Sequence, residues 1–202
     1  GYRNHTVRYS GSARVESNYR ETIKPGEKRA GAGASLLGID PIEEERFSGV
    51  SKFVIRGSYL DTNDGDSILI GKNLLYEFTP IEAPGFQTLK NVEVGSRVKV
   101  TVGDVSKEYF VKGILSSKVD EFDTSVVALV SEVRRLTNRT NLDAGTIAIQ
   151  LDSSITPVEA KEFLLASGVG EYARVQTAED AFPKFLKDIK ATFGILGSAI
   201  SG

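Results

Sequence analysis

The chain has 202 residues, 40% of them hydrophobic and 26% charged. That is enough apolar material for a globular protein with a real core, and it excludes a disordered chain. A net charge of −2 gives no electrostatic footing for nucleic acid, and the lack of cysteine excludes disulfides, thiolate catalysis and cysteine-based zinc sites.

Methionine is also missing and the first residue is Gly1. The chain is therefore read as a piece excised from a longer protein, and the absence of a leader or anchor carries no information on location.

Residues 6–16 mix β-branched and aromatic residues with small polar ones, as a strand does. Residues 23–32, with Pro25-Gly26, read as a hairpin loop. An apolar strand over 34–39 ends at Asp40-Pro41, and the acidic stretch 42–47 reads as one helical turn. The polar turn 61–66 leads into a short apolar strand over 67–70, which meets Gly71-Lys72 and turns into a short helix over 73–78. Pro80, Pro84 and Gly85 make 79–91 the most loop-like segment. Val98, Val100 and Val102 alternate with Arg97, Lys99 and Thr101, which is a half-buried strand; Gly103-Asp104 turns it, and 108–115 returns as a hairpin.

Residues 120–123 read as acidic and exposed, and 125–130 as a buried strand. Ser131 is expected to cap a short helix through Thr137, with Glu132 favourable in its first turn. Turn chemistry follows over 138–145. The strand 146–151 places Ile147, Ile149 and Leu151 on one face. Thr156-Pro157-Val158-Glu159 is a capping box with proline at the first helical position, and Gly168 suits the C-terminal cap. A strand over 172–176 is expected next. Thr177 and Asp180 then start a last helix, with Pro183 tolerated near its beginning.

That last helix carries Phe182, Leu186, Ile189, Phe193, Leu196 and Ile200 at spacings of four, three, four, three, four, a narrow coiled-coil-like stripe. No charge appears over 191–202. Twelve residues cannot span the ~30 Å hydrocarbon layer, which takes ~20. Gly194, Gly197, Ser198 and Ser201 are nevertheless the small residues that membrane helices use for close packing. Two readings stand on the residues alone: the first turns of a transmembrane helix, or an amphipathic helix docked on the core.

No motif carries catalysis. From Gly65 to Lys72-Asn73 there is a near miss to a phosphate loop, but five residues separate the glycines, three of them are Ile-Leu-Ile, and Asn73 replaces Ser or Thr. The glycines at 31, 33 and 38 precede a strand where a dinucleotide fingerprint would follow one. The stretch 61–66 has its glycine one place early for a calcium loop, with Lys72 where the bidentate Glu belongs. His5 is the single histidine, which all but removes a Ser-His-Asp triad or a histidine metal site. Glu43-Glu44-Glu45 reads as a solvated surface. Asn4-His5-Thr6 and Asn138-Arg139-Thr140 are sequons, so Asn4 and Asn138 are glycosylation candidates if the chain lies outside the cell. No metal and no cofactor is expected.

The order of the pieces carries more than any one of them. Gly38-Ile39-Asp40-Pro41 is followed by Gly57-Ser58-Tyr59-Leu60, then Ile68-Leu69-Ile70-Gly71-Lys72-Asn73-Leu74 and Val94-Gly95-Ser96-Arg97-Val98. Phe110-Val111-Lys112-Gly113-Ile114-Leu115 and Asp123 then precede the strand 126–130. Over residues 34–202 this series resembles the MacB-like periplasmic core domain. That is the extracytoplasmic domain of ABC-transporter permeases of the MacB, lipoprotein-releasing and FtsX-like class.

The resemblance implies an α+β, two-lobed fold. A porter-like βαβ lobe would comprise residues 1–46 and 140–190, with a smaller β-rich lobe inserted over 47–139. A long final helix would run through 191–202 into a transmembrane helix, its stripe coupling the domain to the membrane. It implies a non-enzymatic role at the extracytoplasmic side of the cell membrane, passing ATP-driven motion to substrate or partner release. The implied partners are an ABC ATPase acting through the membrane domain, a second permease copy and an extracytoplasmic protein. The family opens with a strand and helix before the segment corresponding to 6–16; the chain departs from the pattern in showing no such helix, and in its long 79–91 segment. The alternative is a membrane-tethered extracellular ligand- or protein-binding module; a hydrolase with a carboxylate pair ranks last.

Overall fold

The computed structural model describes residues 1–17, 19, 20, 22, 25, 31–80, 83, 86–117, 120–138 and 145–181. The fold is α+β, one large sheet with few short helices. The strands are β1 (Tyr2–Glu16), β2 (Gly31–Ile39), β3 (Val54–Gly57), β4 (Ser67–Gly71), β5 (Arg97–Val102), β6 (Val105–Leu115), β7 (Ser125–Leu129) and β8 (Thr146–Leu151). The helices are α1 (Pro41–Ser48), α2 (Asp120–Asp123), α3 (Val130–Leu136), α4 (Pro157–Ala166) and α5 (Ala178–Ala181).

Six of these strands close on themselves. The sheet runs β2-β7-β4-β6-β5-β1, and β1 then pairs back onto β2. Arg14, Val15 and Glu16 are the closing residues, bonded to Gly33, Ala32 and Gly31 on one edge and to Thr101, Val100 and Lys99 on the other. The pairs β2–β7 and β4–β6 are parallel, and the other four are antiparallel. Two strands branch from the ring: β3 pairs β6, and β8 lies beside β1.

The period-2 alternation sorts side chains to the two faces of this ring. Val15, Leu36, Ile68, Ile70, Val98, Val100, Tyr109, Val111 and Val126 fill its interior. Leu37, Ile39, Leu69, Val127 and Leu129 point the other way, into a second cluster with Val50, Leu60 and Phe122. The register of β6 on β4 slips by one residue: Val111 faces Ile68 and Gly113 faces Leu69. The extra residue is Lys112, and the bulge turns Ile114 inward and Leu115 outward.

Glycines mark where the pieces touch. An added Cβ at Gly71 would lie 2.3 Å from the Phe122 carbonyl oxygen, and one at Gly113 2.6 Å from that of Ser58. At Gly38 it would lie 2.8 Å from Val133 Cβ. Gly57 is doubly constrained, with φ +77° and only 2.1 Å to the Lys112 carbonyl oxygen.

Local signals account for the short helices. Asp40 Oδ1 accepts from the Ile42 and Glu43 amides at 2.9 and 3.0 Å, Pro41 opens α1, and Gly49 closes it at φ 63°. The capping box at Thr156 and Glu159 is present, with left-handed Gly168 just beyond α4. Thr177 and Asp180 reciprocate at the start of α5.

Three sequence expectations are corrected. Residues 73–78 do not form a helix: after a 3-10 turn at Lys72–Leu74, the Leu74 carbonyl and the Tyr76 amide bond to Leu89. Residues 172–176 do not form a strand; the Tyr172 and Ala173 amides bond back to the Val169 carbonyl. α3 starts one residue before Ser131, flanked by Leu129, which has no capping side chain.

The chain divides into two compact units, Asn4–Gln150 and Gly1–Arg3 with Leu151–Gly202. The stripe of the final helix and the stretch 191–202 lie outside the described residues.

Gly57→Ala is expected to destabilise the ring by about 3 kcal/mol, from backbone collision plus a strained φ. Gly33→Ala, with nothing within 4 Å of the new Cβ, should stabilise by about 0.5 kcal/mol. Urea unfolding followed by circular dichroism checks both; equal effects would contradict the contact assignment.

Candidate functional site

Three buried charge clusters tie the helices and turns of the Asn4–Gln150 unit to its strands. In the first, Thr6 and Arg8 leave the same face of β1 two residues apart. Arg8 makes a two-pronged contact with Glu44 of α1 at 2.9 and 2.7 Å, and reaches Glu121 of α2 at 2.9 Å. Thr6 Oγ1 and Ser48 Oγ donate to the same Glu44 carboxylate. The guanidinium lies over the rings of Phe122 and Phe47, 5.2 and 5.9 Å from their centroids. Glu44 is 0% exposed. Burial alone would raise its carboxyl pKa, but the hydrogen bonds and charge of Arg8, with Ser48 and Thr6, outweigh burial and hold it below the ordinary value.

The second cluster joins β6 to α3 and to the turn over 61–66. Lys107 Nζ donates to Glu132 Oε2 at 2.6 Å and to the Gly65 carbonyl at 2.9 Å, and pairs with Asp66 at 2.9 Å. Tyr109 Oη donates to the same Glu132 oxygen at 3.0 Å, and burial pushes the phenol's pKa up. Lys112 pairs with Asp64, whose carboxylate also accepts from the Asp61 amide. Two of the turn's three aspartates, Asp64 and Asp66, are thus paired with lysines of one strand. Among the described residues no group of three or more histidines, cysteines or acids is placed to hold a metal ion.

The third cluster uses Lys72, the lysine of the phosphate-loop near miss. It pairs with Asp123 at 3.6 Å and donates to Ser116 Oγ at 2.9 Å. Asp123 in turn accepts from the Ser117 amide and hydroxyl at 2.6 and 3.0 Å. The stretch before Lys72 is β4, paired to β6 over Ser67–Gly71 and to β7 at Leu69 and Ile70, an extended strand and not a loop that wraps a phosphate.

These clusters correct two expectations. Glu44 is not part of a solvated run, and Asp123 is not exposed. Sequence reading missed Arg8, Glu44, Lys107 and Glu132. No local signal marked them: in α1 the structure inverts the usual polarity, with the apolar Ile42 51% exposed and Glu44 buried.

On the outside of the same unit, cations lie over half-exposed rings: Arg97 over Phe110 at 4.5 Å, Lys90 over Tyr76 at 4.9 Å, and Arg56 over Phe78 at 5.4 Å. Glu108 and Glu77 neutralise the two arginines at 3.6 and 2.6 Å. The surface is amphipathic rather than basic.

Of the predicted site residues, Phe182, Leu186, Ile189, Phe193, Leu196 and Ile200 all fall outside the described residues. Asn4 is half-buried within β1, its Oδ1 accepting from the His5 amide. Asn138 is exposed just past α3, with φ 51°. No described helix is long and apolar enough to cross a membrane.

No family model matches the chain, and no curated protein matches it. Among solved structures, the periplasmic region of MacB from Actinobacillus actinomycetemcomitans is similar at 16% identity and a TM-score of 0.47. The match covers 84% of this chain and 68% of that one.

The Arg8–Glu44 pair sets a testable cost. Glu44→Gln leaves a buried guanidinium short of its counter-charge and should destabilise by about 3 kcal/mol. The native Glu44 carboxyl lies below its ordinary 4.5 when folded. Its stabilising contribution is therefore complete above that value and lost as pH falls through the lowered one. Urea titrations from pH 7 to pH 3 should show a shallower acid limb for the variant than for the native chain; parallel limbs would contradict the assignment.

Proposed function

We propose that the chain is a non-enzymatic extracytoplasmic domain of an ABC-transporter permease subunit, passing ATP-driven motion from the membrane to substrate or partner release. The observation that carries this reading is the ordered series of motifs, together with what their glycines do. Gly38, Gly57, Gly71 and Gly113 come from four different pieces of the series, and each sits where a side chain would collide with another part of the fold. The series therefore describes one set of mutually fitted contacts, which chance turn glycines would not produce. The pieces fall on β2, the end of β3 and the segment after it, β4, β5, β6 and β7.

The buried charge clusters support a mechanical role. Every ionic group in them is spent on joining one element to another. In this reading the helix beginning at α5 continues through Phe182, Leu186, Ile189, Phe193, Leu196 and Ile200 toward the membrane and couples the domain to it. The working assembly contains an ABC ATPase on the far side, a second permease copy and an extracytoplasmic partner. Of the two sequons, Asn138 is the accessible one.

The absence of cysteine from this chain makes the test direct. In the full-length gene product, freed of any cysteines elsewhere, Asp104→Cys in the β5–β6 turn should react with a membrane-impermeant maleimide in intact cells. An ATP-binding-cassette subunit should co-purify with the protein. Labelling only after lysis, or purification without such a subunit, would overturn the proposal.

A further inference from the structure

We propose that β8 is a self-association edge, on which the same strand of a second copy of this chain adds antiparallel. Within the ring each strand is paired to a neighbour on both sides, β1 over Arg14–Glu16, and the two branch strands differ in how their outer edges are treated. β3 has only four residues, carries Arg56 paired to Glu77, and ends at left-handed Gly57. Those are devices that blunt a strand edge. β8 has none of them. Its sequence, Thr-Ile-Ala-Ile-Gln-Leu, contains no charge, proline or glycine. Among the described residues its strand neighbour is β1, and nothing pairs with its other edge. Ile147 and Ile149, on one face, are 60% and 44% exposed.

The occupant follows from the pattern. An unpaired row of amides and carbonyls needs another backbone, and the side chains decide which one fits. Residues 146–150 form a palindrome of polarity about Ala148. A two-fold axis through Ala148 sets Thr146 opposite Gln150 and Ile147 opposite Ile149, with Ala148 opposite its own copy. Directly opposed residues in an antiparallel pair share a face, so the isoleucines of both copies form one continuous apolar patch. The interface is isologous and closed, and it leaves no further edge for a third copy. It is also small beside a standard interface of ~1,600 Å², so the contact is weak between free chains and effective where copies are already held together.

The geometry makes a sharp test. Across the axis the two Ala148 Cα atoms would be about 4.5–5.5 Å apart, within the range a disulfide spans. In the otherwise cysteine-free chain, Ala148→Cys should form a disulfide dimer under mild oxidation about tenfold faster than Asp104→Cys, because pairing raises the local thiol concentration. Adding Ile149→Lys, at a half-exposed position that leaves the fold intact, should return the rate to that of Asp104→Cys. Equal rates for the two single variants, or indifference to Ile149→Lys, would overturn the proposal. So would Ala148→Cys being captured in cell membranes by a polypeptide other than a second copy.

Discussion

Closure of the ring by β1 is the constraint on which the rest depends. Three residues, Arg14 to Glu16, are hydrogen-bonded on both edges, to β2 and to β5. Without them the sheet is an open, curled ribbon whose apolar inner face has nothing to meet. With them, the inward residues of six strands meet one another, and one set of small-to-medium apolar side chains fills the interior. The outer cluster around Leu37, Leu69 and Val127 depends on the same closure, because its strands are held at fixed register only inside the ring.

Closure also explains why charge is buried here. Helices and turns that cap such a ring must dock on polar backbone ends, and ion pairs supply both attraction and register. Arg8 fixes α1 and α2 to β1, Lys107 fixes α3 and the turn over 61–66 to β6, and Lys72 fixes Asp123 beside Gly71. In each case the carboxylate is nearly or wholly removed from water while the cation keeps part of its solvation. A carboxylate so placed must be satisfied by several donors, and Glu44 has four from Thr6, Arg8 and Ser48.

Much of this was legible in the sequence. The strands follow from period-2 alternation in 97–102 and from apolar runs at 67–70 and 125–130, and the caps at Thr156 and Thr177 follow from local chemistry. What local chemistry does not encode is long-range partnership. Nothing in residues 14–16 announces β5, and nothing in the acidic run 43–45 announces that its middle member faces Arg8, thirty-six residues back. The helix expected over 73–78 failed for the same reason: Leu74 and Tyr76 find their backbone partner in Leu89, across a loop that looked like an interruption. The candidate coupling helix was the reverse case, a strong periodic pattern whose residues lie beyond those described.

The double bonding of β1 has a consequence for how the chain is made. β1 and β2 leave the ribosome together and can pair at once as a hairpin, but their outer edges belong to β5 and β7. β7 ends at Leu129, so roughly ninety residues must still be synthesised after β2. At ~5–20 residues per second that is a wait of about 5–20 s. The β1 edge can be met once β5 is made at Val102, but the β2 edge stays unsatisfied through the whole interval. A chain built this way completes its first hairpin nearly last.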